Sequence, residues 1–160
     1  MKCGRRPAGS AAAARESFSL CLACRYANGQ PETTSSWEFL HPEGEASGEA
    51  GNERSLVLRG SAAGRSVLLT GDIEDWAEGR LLAAGSARLR SNSLKVAHHG
   101  SRTSSRTDFL RAVAPRLAIV SAGPGNRFHH PSSEVVERLA ELDIRLLRTD
   151  RDGEIRFRFG

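Results

Sequence analysis

The sequence predicts an α/β domain, helices layered on a sheet, over residues 36–160. Three observations predict it. Short apolar runs such as Val67-Leu68-Leu69 and Leu94-Lys95-Val96-Ala97 end in polar groups, Asp72 and His98-His99, as buried strands with active tips do. Between such runs lie stretches with helical spacing, the clearest being Val135, Val136, Leu139 and Leu142. Strand and helix then alternate to the end of the chain, the order of a layered α/β fold.

Taken in order, Trp37-Glu38-Phe39-Leu40-His41 is an alternating strand stopped by Pro42. A Gly/Glu-rich loop follows, from Glu43 to Glu53. Ser55 to Arg59 and Ser66 to Leu69 read as an antiparallel pair joined through Gly60-Ser61-Ala62-Ala63-Gly64. Ile73 to Ala84 is helical by pattern, with Trp76, Leu81 and Leu82 as apolar contacts. Ser93 to Ala97 is the strand that carries the histidines. Thr107 to Val113 is a short helix with Ser105 or Thr107 as candidate N-cap and Pro115 beyond its end. Leu117 to Ser121 is another buried strand, and Gly123-Pro124-Gly125-Asn126 a turn leading to His129-His130-Pro131. Ser132 or Ser133 caps the next helix. Arg145 to Arg148 is a strand, Asp150 to Gly153 a hairpin turn, and Ile155, Phe157 and Phe159 alternate on a last strand.

Residues 1–35 differ from the rest: Ala-, Gly-, Pro- and Ser-rich, and read as a poorly ordered or unrelated leader. Ser17 to Tyr26 has the composition of a short helix. Cys3, Cys21 and Cys24 all fall here, and Cys21-Leu22-Ala23-Cys24 has CxxC spacing without a second pair. No run approaches the ~18 apolar residues of a membrane span, and the basic start lacks the apolar core of a signal peptide.

The net charge is +4. Residues 1–60 carry seven basic and seven acidic side chains, and residues 61–160 sixteen and twelve, so the excess lies wholly in the later part. An anionic ligand fits there, and so does an ordinary solvated surface. Lysine occurs only at Lys2 and Lys95, which marks the arginine excess as coding bias more than a nucleic-acid signature.

Asp72 has two readings. It is the N-cap of the helix that follows, which residue type alone favours, or a carboxylate projected from a strand tip for Zn²⁺ or Mn²⁺. His98 and His99, taken as neighbours on an extended chain, point to opposite faces, so one ligates and the other faces substrate. Ser101 is placed to hydrogen-bond an imidazole or an oxyanion. His129 and His130 sit at a helix entrance that favours anions, or are an exposed loop pair. His41 is structural, and Asn52 and Ser55 brace the strand entrance.

Asn52 through Leu58, Leu68-Leu69-Thr70-Gly71-Asp72, Val96-Ala97-His98-His99-Gly100-Ser101, Pro115 through Ser121, and Asn126 through His130-Pro131, in this order, resemble the metallo-β-lactamase-like domain of ComEC-type competence proteins, bacterial DNA-uptake channels. The likeness runs from Trp37 to the end, including Arg148 to Gly153. It implies an αββα hydrolase fold, of which this is the C-terminal half, one or two Zn²⁺ or Mn²⁺ ions, and phosphodiester cleavage in a single strand of incoming DNA. Asp72 matches the bridging aspartate; His99 is assigned as ligand, His98 and His130 as catalytic, and Ser101, Arg102, Arg127 and His129 as substrate-binding. The implied parent sits in the bacterial inner membrane with its hydrolase domain outside the cytoplasm. The family's main metal motif, a His-x-His/Asp-x-Asp-His run, does not occur between Met1 and Leu94. The expectation is therefore a soluble partial domain whose partner is the missing N-terminal half or the channel portion. The rival readings are a non-catalytic fragment that binds nucleic acid weakly, and a hydrolase of the same fold acting on another phosphoester or a small molecule.

Overall fold

The computed structural model describes Tyr26–Ala27, Gln30–Pro31, residues 35–42 and residues 51–157. The expectations for the cysteines, for most of the leader and for Phe159 lie outside these residues. The chain divides into two units, residues 1–32 and 33–160. In the first, β1 (Tyr26–Ala27) pairs antiparallel with β2 (Gln30–Pro31), so Tyr26 belongs to a strand where a helix was expected.

In the second unit a six-stranded sheet runs in chain order: β3 (Ser35–His41), β4 (Val57–Ala62), β5 (Arg65–Leu69), β6 (Ser93–Lys95), β7 (Leu117–Val120) and β8 (Arg145–Arg148). The first three are antiparallel neighbours, and β5 to β8 are parallel. A parallel pair needs a crossover. Here α1 (Asp75–Gly85), α2 (Thr107–Val113) and α3 (Ser133–Glu141) supply the three. Crossovers of one hand that advance in one direction leave their helices on one face of the sheet. The α/β class read from the sequence is the class observed.

The core follows from that layering. Val57, Leu68, Leu94, Ala118 and Val120 face Ile73, Leu81, Phe109, Leu110, Val113, Val135 and Leu139 in a single buried cluster. Each fully buried Leu or Phe contributes about 1.5–3 kcal/mol. The opposite face carries a continuous row, Phe39, Leu58, Leu69, Lys95, Ile119 and Leu147, set side by side by the strand register. Phe39 there is 68% exposed, and Leu58, Leu69, Leu117 and Leu147 are only half-buried. This sheet is apolar on both faces and covered by helices on one.

Several local expectations are corrected. The β4–β5 ladder continues through Gly60 and Ser61 to a two-residue turn, Ala63-Gly64, both with positive φ. Gly60 does not break the strand; it makes room for the Trp37 ring, which a Cβ would meet at 2.7 Å. Trp76 is half-exposed, set edge-on to His41 with Arg80 over its ring. Among the described residues after β8 no hairpin forms. Arg148 N donates to Asp152 Oδ2 at 2.7 Å, and its guanidinium pairs with Asp150. Those bonds close the helical turn α4 (Thr149–Asp152), and residues 153–157 join no strand.

The caps come from far away in the chain. Asp72 does not cap α1. The carboxylate of Glu53 accepts from the backbone N–H groups of Glu74, Trp76 and Ala77 at 3.1, 3.3 and 3.0 Å. Neither Ser105 nor Thr107 caps α2; the carboxylate of Glu78, from α1, accepts from the N–H groups of Ser105 and Arg106. Of the three crossover helices only α3 is capped by its own N-cap side chain, Ser132 accepting from Val135 N, one of the two serines expected.

Glu78 is fully buried. Burial pushes its carboxyl up from 4.5 to about 7, against the backbone donors of Arg106 and Ser105, which favour the charged form. The folded chain therefore binds a proton that the unfolded chain has released. Stability should fall as pH rises from 4.5 to about 7, then level off. Thermal melting of the wild type should show this decline, worth at most about 3 kcal/mol. Glu78→Gln lowers the baseline, because one N–H loses its acceptor, but should flatten the slope; an unchanged slope would place the titrating group elsewhere.

Candidate functional site

The carboxyl ends of β5, β6 and β7 lie along one edge, where open α/β sheets bind ligands. Asp72 follows β5, His98-His99 follow β6, and the loop holding Asn126 to His130 follows β7. The tips are tied together: Thr70 Oγ1 donates to Lys95 O at 2.6 Å, Lys95 Nζ to Gly71 O at 3.0 Å, and His98 N to Gly71 O at 3.1 Å.

His98 and His99 are not on an extended chain. Their φ values are 46° and 54°, and Gly100 follows at 83°. Left-handed backbone costs a non-glycine residue about 1–2 kcal/mol. Here it is held by Ser101 N donating to His98 O at 2.8 Å and Ser132 N donating to Gly100 O at 2.9 Å. A Cβ on Gly100 would meet Pro131 Cβ at 2.5 Å, so glycine is required for space as well as for φ.

The turn gives the two imidazoles different partners. His99 Nδ1 lies 2.6 Å from Ser121 O, a pure acceptor, so this nitrogen carries the proton. In the neutral ring, Nε2 then holds a lone pair, and it faces Asp72 Oδ1 at 3.6 Å. Two acceptors facing across that gap call for a proton or a cation between them. Two donors of one tetrahedral zinc stand about 3.3 Å apart, so the spacing fits a shared divalent ion. Lys95 Nζ, also 3.6 Å from Asp72 Oδ1, already offsets part of the carboxylate charge. Among the described residues no group of three His, Cys, Asp or Glu is arranged so that it could hold a metal ion.

His98 has the opposite tautomer. Asn52 Nδ2 donates to its Nε2 at 3.4 Å, leaving the proton on Nδ1, 3.1 Å from Glu74 Oε1. That second contact is close but lacks hydrogen-bond alignment, so Nδ1 is buried without a bonded partner. Asn52, Thr103 and His98 together hold the Glu74 carboxyl below its ordinary value, so it stays ionised beside His98. His130 packs edge-on against His98 with ring centroids 5.9 Å apart. Burial, then the nearby charge of His98 and His99, depresses its pKa, and its Nδ1 is buried without a partner. His130 is thus a neutral imidazole at neutral pH.

Asp72, His98, His99 and His130 therefore converge. Ser101 is buried, its hydroxyl turned to Thr103 Oγ1 at 2.9 Å and not to an imidazole. His129, Arg102 and Arg127 are exposed, and Arg127 lies over the Phe128 ring. His41 is buried against Glu53 O, the structural role expected. Sequence reading missed Glu53, Glu74, Lys95 and Phe128. Lys95 carried a signal, as a lone lysine inside an apolar strand.

No family model matches the chain. Among curated proteins it is 41% identical over 108 residues to ComE operon protein 3 of Bacillus subtilis, covering 68% of this chain and 14% of that protein. It is 40% identical over 124 residues to Competence protein ComA of Neisseria gonorrhoeae, covering 78% and 18% respectively. This segment belongs to the ComEC-type competence proteins. Recombination protein 2 of Haemophilus influenzae is a further relative, 36% identical over 110 residues. The chain spans 14% to 18% of the length of the competence relatives it matches.

The His98–Gly100 turn gives a direct test. Gly100→Ala meets both a φ penalty and Pro131, so it should destabilise by more than about 2 kcal/mol and lower Tm by several degrees. Gly125→Ala, at φ 62° with nothing within 4 Å, should cost only about 1 kcal/mol. Equal melting shifts for the two variants would contradict the packing argument.

Proposed function

We propose that this segment supplies part of a metal-dependent phosphodiester-cleaving site, in a metallo-β-lactamase-like fold, to a competence protein that handles DNA. The observation that carries the reading is the pair Asp72 Oδ1 and His99 Nε2, facing at 3.6 Å with the His99 tautomer set by Ser121 O. Histidine ligands anchored through their second nitrogen are the usual form of such sites. The names of the relatives, competence and recombination proteins, support DNA as the substrate.

Zn²⁺ or Mn²⁺, when bound, supplies a hydroxide near neutral pH and positive charge for the phosphate. The chain's own residues do the rest. His99 offers a fixed lone pair and Asp72 a carboxylate. His98, held by Asn52 and Glu74, faces the substrate, and the neutral His130 exchanges a hydrogen bond with a phosphate or leaving oxygen. The exposed guanidinium groups of Arg102 and Arg127 contact the DNA backbone.

Two donors leave a metal mostly hydrated, so a complete site draws further ligands from beyond this pair. The apolar row from Phe39 to Leu147 is the face on which a second sheet of the αββα layering packs. We place the segment in a membrane-anchored parent, with the hydrolase domain outside the cytoplasm. Among the described residues no helix is long and apolar enough to cross a membrane. The absence of a three-donor cluster among the described residues favours one second reading: by itself, the chain is a non-catalytic partner piece.

Titration of the purified chain should show weak Zn²⁺ or Mn²⁺ binding, abolished by Asp72→Ala or His99→Ala. Tight stoichiometric binding that survives both substitutions would overturn the ligand assignment. In a single-strand DNA degradation assay, the chain alone should show no chelator-sensitive cleavage. Adding the N-terminal half of a family domain should produce it, and Asp72→Ala should then remove it, since losing a metal contribution of several kcal/mol slows the reaction more than a hundred-fold. Robust chelator-sensitive cleavage by the chain alone would overturn the half-site reading.

A further inference from the structure

Phe128 has no role in the core or in the ligand pair, yet it sits beside the site. Its ring is 62% exposed. It stacks on His130 at 5.8 Å with an interplanar angle of 20°, and His130 in turn packs edge-on against His98. The guanidinium of Arg127 lies 4.7 Å from the Phe128 ring centroid. An aromatic surface therefore runs outward from the candidate catalytic histidines and ends in a cation.

The loop that presents this surface is braced. Asn126 accepts from His130 N at 2.9 Å through Oδ1 and donates through Nδ2 to His130 O at 2.8 Å and Gly123 O at 3.2 Å. His129 N donates to Asn126 O at 3.1 Å. One asparagine thus closes the loop on both sides of Phe128, so the exposed ring is held ready for a ligand and little ordering is left to do on binding. Trp37 and Phe39, by contrast, lie on the sheet face away from the helices, on the edge strand β3.

We propose that Phe128, with Arg127, is a stacking platform for an unpaired nucleobase next to the cleavage site. The platform matches that ligand in two respects. Its flat π surface takes the face of a heterocycle, and every base has one. In a duplex the base faces are covered by neighbouring base pairs, so the platform selects a single strand or an extruded nucleotide. The contact of an exposed guanidinium with an exposed ring is weak. An incoming base displaces it readily, and the freed cation pairs with the attached phosphate. Phe128 is then a specificity-determining residue. It decides which form of DNA reaches the histidines, and this inference rests on the nucleic-acid reading above.

The test is fluorescence anisotropy with the full chain at low salt, using a labelled oligo-dT strand, an abasic strand of equal length, and a duplex. The wild type should prefer oligo-dT to both others. Phe128→Ala should weaken oligo-dT binding about ten-fold or more and leave abasic binding unchanged, with melting confirming that the variant is folded. Phe128→Trp should retain or strengthen oligo-dT binding, and a 2-aminopurine placed in the strand should be quenched. If Phe128→Ala binds oligo-dT as the wild type does, or the abasic strand binds equally well, the platform is overturned while salt-dependent DNA binding stands. Absence of salt-dependent binding to any strand would overturn the platform and the DNA reading together.

Discussion

Three consecutive residues with positive φ, His98, His99 and Gly100, hold the functional edge together. Each contributes a bond to a different element. His98 N reaches Gly71 after β5, the His99 ring reaches Ser121 after β7, and Gly100 O receives Ser132 N at the start of α3. The turn is locally unfavourable and is paid for by these three anchors. Its geometry is what gives two adjacent histidines different partners, His99 toward Asp72 and His98 toward Glu74. An extended chain would also have separated the two rings, but it would not have left His99 Nε2 opposite Asp72.

Remote carboxylates make that geometry available. Asp72 would be the obvious cap for α1. Glu53 takes the work instead, from a short 3-10 turn (Gly51–Arg54) that also carries Asn52 to Glu74 and His98. Glu78 does the same for α2, and Ser104 Oγ, bonded to Ala97 O and Ser101 O, links that cap to the histidine turn. Arg138 closes the arrangement from α3 by donating to Ser104 O and Ser105 O. The buried carboxylate of Glu78, Ser104 Oγ and Arg138 thus form a chain of bonds between the helices that ends at the histidine turn. Such chains specify one arrangement because leaving a member unpaired is costly.

The sheet has a complementary asymmetry. Its helix-covered face is apolar and closed across Leu68, Leu94 and Ala118 and turns polar at Arg59 and Glu38, and its other face is apolar and partly open, with Lys95 as the one charged member of the central row. Lys95 places its ammonium at the edge, between Gly71 O and Asp72. A strand residue on the open face thereby contributes charge to the site at the strand tip.

Much of the fold was legible in the sequence, because period and chain order are local properties. The apolar runs at β5 and β7 bury consecutive residues, the spacing of α3 buries one face, and a single window of residues shows each. Val135 and Leu139 are in the core, and α2 spans the residues expected. The histidines and Asp72 were also legible as strand-tip groups. What only the tertiary structure decided depends on partners far away in the chain. Glu53 and Glu78 cap helices that begin more than twenty residues later. The left-handed turn at His98 exists because Gly71, Ser121 and Ser132 are there to hold it. Arg148 meets Asp150 and Asp152 in a helical turn where a hairpin turn was expected, and residues 153–157 join no strand. Phe128 became notable only beside His130. A side chain's type and spacing determine what it can do, and the long-range bonds determine which of those things it does.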